Sequence, residues 1–206
     1  FRAFPELVVA ESTRHGGVSL PPYHTLNLGR STQDKPEHVA INRQLFWEAI
    51  GITKEQVASS HQVHGNEVLV AETAGDYEGY DALITQQKAI YLAVTVADCT
   101  PIVIYDPVNK VVAAIHAGWR GTVSSIVVNA VQKIVAHFGQ IDAVLANAGV
   151  GNFAPIDEMS LDEWNQMIDT NLTGAFQTLK ASVEELKKSK GYYITLSSLA
   201  GTNFFE

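Results

Sequence analysis

The stretch Val94-Thr-Val-Ala-Asp-Cys-Thr-Pro-Ile-Val-Ile-Tyr105, followed by Val111-Val-Ala-Ala-Ile-His-Ala-Gly-Trp-Arg-Gly121, organises the rest of the chain. Both runs are rich in β-branched and small apolar residues, a composition typical of buried strands. Each predicted strand ends in a side chain that can bind a metal, Cys99 in the first and His116 in the second. The sequence therefore predicts two strands that present potential ligands.

A third potential ligand, His64, lies upstream in Ser60-His-Gln-Val-His-Gly-Asn66. One thiolate and two imidazoles suit zinc or copper, and three protein ligands leave a fourth position for water or substrate. The gaps of 35 and 17 residues match no compact ligand motif, and a single Cys or His often only packs in a core. His61 is an alternative to His64 for the metal.

Composition limits the function classes. A chain of 206 residues with 46% hydrophobic content can form one large or two small domains with a packed core. A formal net charge of -8 argues against nucleic acid or an anionic membrane as a partner. The only cysteine excludes an internal disulfide, so we expect a cytoplasmic protein. The sequence leaves the oligomeric state open, with a homo-oligomer among the alternatives.

Several short blocks occur in one order in the first two thirds of the chain. They are Ser12-Thr-Arg-His-Gly-Gly-Val-Ser-Leu-Pro-Pro-Tyr23, Leu26-Asn-Leu-Gly29, Pro36-Glu-His-Val39, His61-Gln-Val-His-Gly65, Asp81-Ala-Leu-Ile-Thr85, Ala97-Asp-Cys-Thr-Pro-Ile102 and His116-Ala-Gly-Trp-Arg-Gly121. In these blocks residues 1–137 resemble the laccase-domain family, which is also described as multicopper polyphenol oxidoreductase-like and as a purine nucleoside phosphorylase family.

The resemblance implies a catalytic zinc ion bound by His64, Cys99 and His116. It also implies phosphorolysis of purine nucleosides with phosphate as co-substrate, and adenosine deamination as a second activity. Copper-dependent phenol oxidation has been attributed to the family as well. Because one Cys and two His cannot assemble a multinuclear copper set, zinc is the expected metal, with copper as the alternative.

Two arginines are weaker candidates for contacts with phosphate. Arg14 precedes a Gly-Gly turn and has the planar fork that pairs with phosphate, although a surface ion pair would explain it equally well. Arg120 lies where a helix is predicted to begin just after His116, and free N–H groups at a helix N-terminus favour anions.

Apolar spacing predicts helices over residues 36–50 and 122–138, the second capped by Thr122 or Ser124. Strands are predicted over 57–63, 67–71, 81–85 and 91–97, and residues 75–80 are predicted to form an exposed polar loop.

The last third of the chain has a different character. Its motifs are Asn147-Ala-Gly149 after an apolar strand, a long helix that contains Asn171, and a second strand that leads to Ser198. Residues 138–206 resemble a short-chain dehydrogenase fragment in these motifs. The resemblance implies a Rossmann-like β-α-β unit. No Thr-Gly-x-x-x-Gly-x-Gly turn and no Tyr-x-x-x-Lys pair is present, so hydride transfer is not expected.

The sequence therefore predicts an α/β chimera. A mixed sheet of the laccase-domain type (1–137) carries the metal site, and it is joined to a short-chain-dehydrogenase-like segment (138–206) that packs into the same fold. The expected function is zinc-dependent purine nucleoside phosphorolysis or adenosine deamination. The alternatives are an inactive recombinant and a dehydrogenase-like NAD(P)-binding protein.

Overall fold

The computed structural model describes residues 4–97, 99–146, 151 and 154–195. The chain forms two compact units, residues 1–57 and 58–206. None of the described helices is both long and apolar enough to cross a membrane.

In the first unit a single helix organises the preceding loop. Helix α1 spans Pro36–Ala49, as predicted, and a 3-10 turn follows at Lys54–Gln56. Asn42 of α1 is fully buried; its side-chain oxygen accepts a hydrogen bond from Val18 N, and its Nδ2 donates to the backbone oxygens of Thr25 and Asn27. A buried amide whose hydrogen bonds are satisfied fixes the loop against the helix.

The second unit contains two sheets among its described residues. Its elements are β1 (Val57–His61), β2 (Val68–Val70), β3 (Gly75–Glu78), β4 (Ala82–Thr85), β5 (Tyr91–Ala93), β6 (Thr100–Asp106), β7 (Val111–Ala117), α2 (Trp119–Val123), α3 (Ile126–Phe138), β8 (Ala143–Ala146), α4 (Leu161–Ile168), a π-helical segment (Asp169–Gly174), α5 (Ala175–Ser189) and β9 (Tyr192–Thr195). The smaller sheet has the order β3-β1-β5, and the larger has the order β2-β4-β7-β6-β8-β9.

The larger sheet is mixed, which confirms the predicted α/β class with a mixed sheet. β7 pairs antiparallel with β4 and β6, whereas β2 with β4 and β8 with β9 are parallel pairs. Helix α3 packs against β2, β4 and β7. Its apolar residues recur every three or four positions, so they share one buried face. They are Ile126, Val127, Ala130, Val131 and Ile134.

Four sequence-based expectations about local structure are wrong. Residues 94–97 are not a strand, and Gly75–Glu78 is strand β3 rather than a loop. The single helix predicted over 122–138 is two helices, because Ser125 adopts a left-handed conformation with φ 68°. Thr122 and Ser124 do not cap α3; their hydroxyls donate to the carbonyls of Gly118 and Arg120, one turn back.

Strands β8 and β9 follow residue 137 in the chain and belong to the same larger sheet as the strands before it. They are parallel, and α4, the π-helical segment and α5 lie between them in the chain. Asn171 lies in the π-helical segment, whereas Asn147, Gly149 and Ser198 fall outside the described residues. Two expectations stay predictions. One is that residues 138–206 form a Rossmann-like unit of the short-chain-dehydrogenase type, and the other is the boundary between the two parts of the chain near residue 137.

Candidate metal centre

The pairing of β6 with β7 brings Cys99 and His116 to one end of the hairpin. Thr100 pairs with Ala117 and Pro101 with His116, so Cys99 comes directly before β6 at the level where β7 ends. His116 is buried and Cys99 is partly buried. Two residues that lie 17 positions apart in the chain thus meet because the strands are antiparallel.

His64 completes the group from the turn between β1 and β2. Its Nε2 lies 3.8 Å from Cys99 Sγ, and its ring meets the His116 ring edge-on with centroids 4.8 Å apart. The ligand atoms of His64, Cys99 and His116 all lie within 4.8 Å of one another. The three predicted ligands therefore converge.

The donor set and spacing fit a zinc ion. Zinc holds sulfur at about 2.3 Å and imidazole nitrogen at about 2.0 Å, so tetrahedral geometry separates two such atoms by roughly 3.5 Å. The observed 3.8 Å needs only a small adjustment. Thiolate and imidazole together also suit copper, so the geometry alone does not choose the metal.

His61 does not join this group. Its Nδ1 lies 3.2 Å from Glu78 Oε2, and its side chain is 55% exposed. Of the two histidines in His61-Gln-Val-His-Gly65, the structure thus brings only His64 to Cys99 and His116.

Asp81 is a residue of the site whose role was not apparent from the sequence. Its carboxylate is fully buried and accepts hydrogen bonds from three backbone N–H groups, those of Val63, His64 and Gly65. Its Oδ1 also lies 2.7 Å from His116 Nδ1, at hydrogen-bond distance. An Asp at the start of an apolar strand was the available signal, because a buried carboxylate requires partners.

Gly118 leaves space for the three side chains. A Cβ at this position would lie 2.8 Å from Cδ2 of His64 and 3.3 Å from the sulfur of Cys99. Gly121 has a similar role one turn later, since a Cβ there would lie 2.7 Å from the carbonyl oxygen of Gly65. The His-Ala-Gly-Trp-Arg-Gly motif therefore combines a ligand with two points of close approach.

Gln62 ties the His64 turn to the segment that leads to Cys99. Its Oε1 accepts from Thr95 N at 2.8 Å, and its Nε2 donates to Thr95 O at 2.8 Å. This paired contact replaces the strand that the sequence predicted over residues 94–97.

The two arginines predicted to contact phosphate lie in different units. Arg14 belongs to the first unit, where its Nε and Nη2 donate to the carbonyl of His24 at 3.3 and 3.1 Å. Arg120 is exposed on the short helix α2 of the second unit. Contacts of either residue with phosphate stay predictions.

Known proteins similar to this chain match both its sequence and its fold. A purine nucleoside phosphorylase of Deinococcus radiodurans is 40% identical over 149 residues, which is 71% of this chain and 58% of the relative. A purine nucleoside phosphorylase of Mycobacterium tuberculosis is 32% identical over 193 residues, which is 91% of this chain and 76% of the relative.

Among solved structures, the hypothetical protein YfiH of Bacillus licheniformis has a TM-score of 0.68 at 22% identity, covering 89% of this chain and 79% of that one, which shows a shared fold. This chain spans less than two thirds of the length of the first curated relatives that it matches. The family described as multi-copper polyphenol oxidoreductase laccase matches residues 8–192, on both sides of residue 137. The chain belongs to this family.

Proposed function

We propose that this chain is a zinc-dependent purine nucleoside phosphorylase with adenosine deaminase as a second activity. The observation that carries the proposal is the convergence of His64, Cys99 and His116 in a chain whose relatives are named purine nucleoside phosphorylases. The substrates would be a purine nucleoside and phosphate. In phosphorolysis a phosphate oxygen forms a bond to C1′ of the ribose, the glycosidic bond breaks, and the purine leaves with a proton.

The residues that would hold the zinc ion are His64, Cys99 and His116. A zinc ion in this position supplies Lewis acidity, which stabilises negative charge that develops on oxygen. Copper is the alternative metal, because a thiolate and two imidazoles bind it too.

The chain's own groups prepare this centre. Both oxygens of the Asp81 carboxylate already accept backbone N–H groups, so we assign the proton of the contact with His116 to its Nδ1. The second ring nitrogen of His116 therefore keeps its lone pair for a ligand bond. Asp81 accepts four N–H groups in all, which argues against a role for this carboxylate as the catalytic base.

We also propose each of Arg14 and Arg120, taken separately, as a residue that contacts phosphate. Both carry the five-donor guanidinium that pairs with phosphate oxygens. Replacing each arginine by Lys tests this assignment. If an arginine pairs with phosphate through its planar fork, replacing it by Lys should raise the KM for phosphate more than the KM for the nucleoside.

The test compares two histidines that are three positions apart. His64→Ala should abolish zinc binding and the formation of ribose 1-phosphate from inosine and phosphate. His61→Ala should keep both, since His61 pairs with Glu78 outside the ligand group. Metal content by elemental analysis and ribose 1-phosphate by chromatography are the measurements, and adenosine without phosphate tests deamination.

Other outcomes identify the alternatives. Zinc bound at one ion per chain with no turnover of any purine nucleoside would indicate an inactive recombinant. A change in NADH fluorescence when NADH is titrated with the protein would favour the alternative of a dehydrogenase-like NAD(P)-binding protein. Activity that survives in both His64→Ala and Cys99→Ala would contradict the proposed function.

A further inference from the structure

We propose that Asp81 is a positioning residue that holds both histidines of the metal centre in the geometry and the tautomer that zinc binding requires. The proposal rests on the metal centre of the proposed function. It adds a residue that does not touch the metal and assigns to it the preorganisation of two ligands from distant parts of the chain.

The first part of the argument is the sharing of hydrogen bonds. Asp81 Oδ1 accepts from the backbone N–H of His64 at 3.0 Å and lies 2.7 Å from Nδ1 of the His116 ring. One oxygen atom therefore contacts the backbone of one ligand and the side chain of the other. A change at this atom displaces both ligands at once.

The second part concerns the turn that carries His64. Asp81 Oδ2 accepts from Val63 N at 3.1 Å and from Gly65 N at 2.8 Å, on either side of His64. His64 itself has φ 58°, in the left-handed region, which is unfavourable for a residue with a side chain. Three hydrogen bonds to one buried carboxylate offset this unfavourable conformation.

The third part concerns the proton on His116. Because both oxygens of Asp81 already accept backbone N–H groups, the carboxylate favours the Nδ1–H tautomer of His116 and leaves the lone pair on Nε2. His116 is 2% exposed, so bulk water has little access to compete for Nδ1. The backbone adds to this arrangement, because His116 N donates to the Asp81 carbonyl at 2.7 Å.

Asp81→Asn is the informative substitution because it preserves size and removes an acceptor. The amide NH2 must face either the His64 and His116 donors or the Val63 and Gly65 donors. If it faces His116, the ring must accept at Nδ1 and carry its proton on Nε2, where zinc would bind. If it faces the turn, two backbone N–H groups lose their partner.

We expect Asp81→Asn to weaken zinc affinity by about 10- to 100-fold, the range found when the partner of a metal-ligating His is removed. The measurement is competition with a chromophoric zinc chelator, which requires no substrate. In the metal-free proteins, the ¹H–¹⁵N spectrum of the histidine rings should show His116 as the Nδ1–H tautomer in the wild type and a changed pattern in the variant.

Asp106→Asn is the matched control. Asp106 is also buried and accepts backbone hydrogen bonds, from Val108 N and Asn109 N, but it lies at the other end of the hairpin. We expect its zinc affinity to equal that of the wild type. An equal loss in both variants would mean that any buried carboxylate has this effect and would overturn the proposal.

The remaining outcomes separate this proposal from the proposed function. Equal zinc affinity in Asp81→Asn and wild type overturns the role of Asp81 and leaves the enzyme assignment intact. If zinc affinity falls in Asp81→Asn but the wild type carries out no phosphorolysis, the role of Asp81 stands and the enzyme assignment is overturned. If the variant does not fold, the wild-type tautomer still decides, since an Nε2–H ring at His116 contradicts the proposal. No zinc binding by the wild type overturns the metal centre and this role together.

Discussion

A buried aspartate lies at each end of the β6–β7 hairpin, and the two carboxylates are used differently: Asp81 lies beside the open end, directly before the neighbouring strand β4, and Asp106 lies at the turn end of β6. At the open end Asp81 contacts two distant parts of the chain, the turn Val63 to Gly65 and the side chain of His116. At the turn end Asp106 accepts hydrogen bonds from Val108 and Asn109, within the turn it begins, and its side chain also contacts that of Asp142. The same residue type therefore supports a long-range site at one end and a local turn at the other.

The difference has a functional meaning. The turn end lies at the other end of the hairpin from His64, Cys99 and His116, so changes there should alter stability alone. The open end depends on the spacing between distant segments of the chain, so changes there should alter metal binding more than folding. The substitutions below test this contrast.

Gly118→Ala should have the largest effect. The new Cβ would lie 2.8 Å from the His64 ring and 3.3 Å from Cys99 Sγ, so the ligand side chains must move. We expect zinc affinity to fall by about 100-fold, the upper end for disturbance around a metal ligand. The measurement is competition with a chromophoric chelator.

Gly139→Ala is the control for Gly118→Ala. Gly139 ends α3 with φ 97°, so alanine is strained there and should lower stability, but it should not change zinc affinity. Unchanged zinc affinity in Gly118→Ala would show that the ligands tolerate a side chain at the open end.

Asp106→Ala should lower the free energy of unfolding by about 1–3 kcal/mol, because two backbone N–H groups and the amide of Asn109 lose their acceptor. Denaturant titration measures the change, and zinc affinity should match the wild type. A large loss of zinc affinity would remove the distinction between the two ends.

Lys110→Gly should stabilise the protein slightly. Lys110 has φ 57° in the turn between β6 and β7, a conformation that glycine adopts without strain. The gain should be about 0.5 kcal/mol, since glycine also increases the entropy of the unfolded chain. Thermal unfolding of the metal-free protein measures it, and Lys110→Ala, which retains the strain, should show no such gain.

Asp142→Asn should have the smallest effect and should depend on pH. Tyr105 pairs with Ala143, so Asp142 lies beside Asp106 at the turn end. Burial, followed by the hydrogen bond with Asp106, raises the pKa of Asp142 above its ordinary 3.8. A carboxyl whose pKa is raised by folding contributes stability at low pH, and this contribution is lost as pH rises through the folded-state pKa.

The amide cannot ionise, so Asp142→Asn should be more stable than the wild type near neutral pH, by a few tenths of a kcal/mol because the group is largely solvated. The difference should shrink toward pH 4. Denaturant midpoints between pH 3 and pH 8 measure it, and a constant difference across that range would contradict the predicted linkage.

The sequence predicted regular elements well where apolar spacing was strong. The helix over residues 36–50 and the strand that leads to His116 follow from apolar spacing, because burial selects a repeating face, whereas Cys99 precedes β6 and does not end a strand. It failed at residues 94–97, where the Gln62 side chain pairs with Thr95 in place of a strand ladder. It failed again at Ser125, because a left-handed residue between two helices leaves no mark in the apolar pattern.

What the sequence determined by itself was the chemistry available: one thiol, the histidines near it, and the family blocks that contain them. Only the tertiary structure decided that His64 rather than His61 faces Cys99, that Asp81 contacts both histidines, and that Gly118 lies against all three side chains. The physical reason is that residue type sets which bonds a group can form. The distances between residues 35 and 17 positions apart depend on strand register and turn conformation.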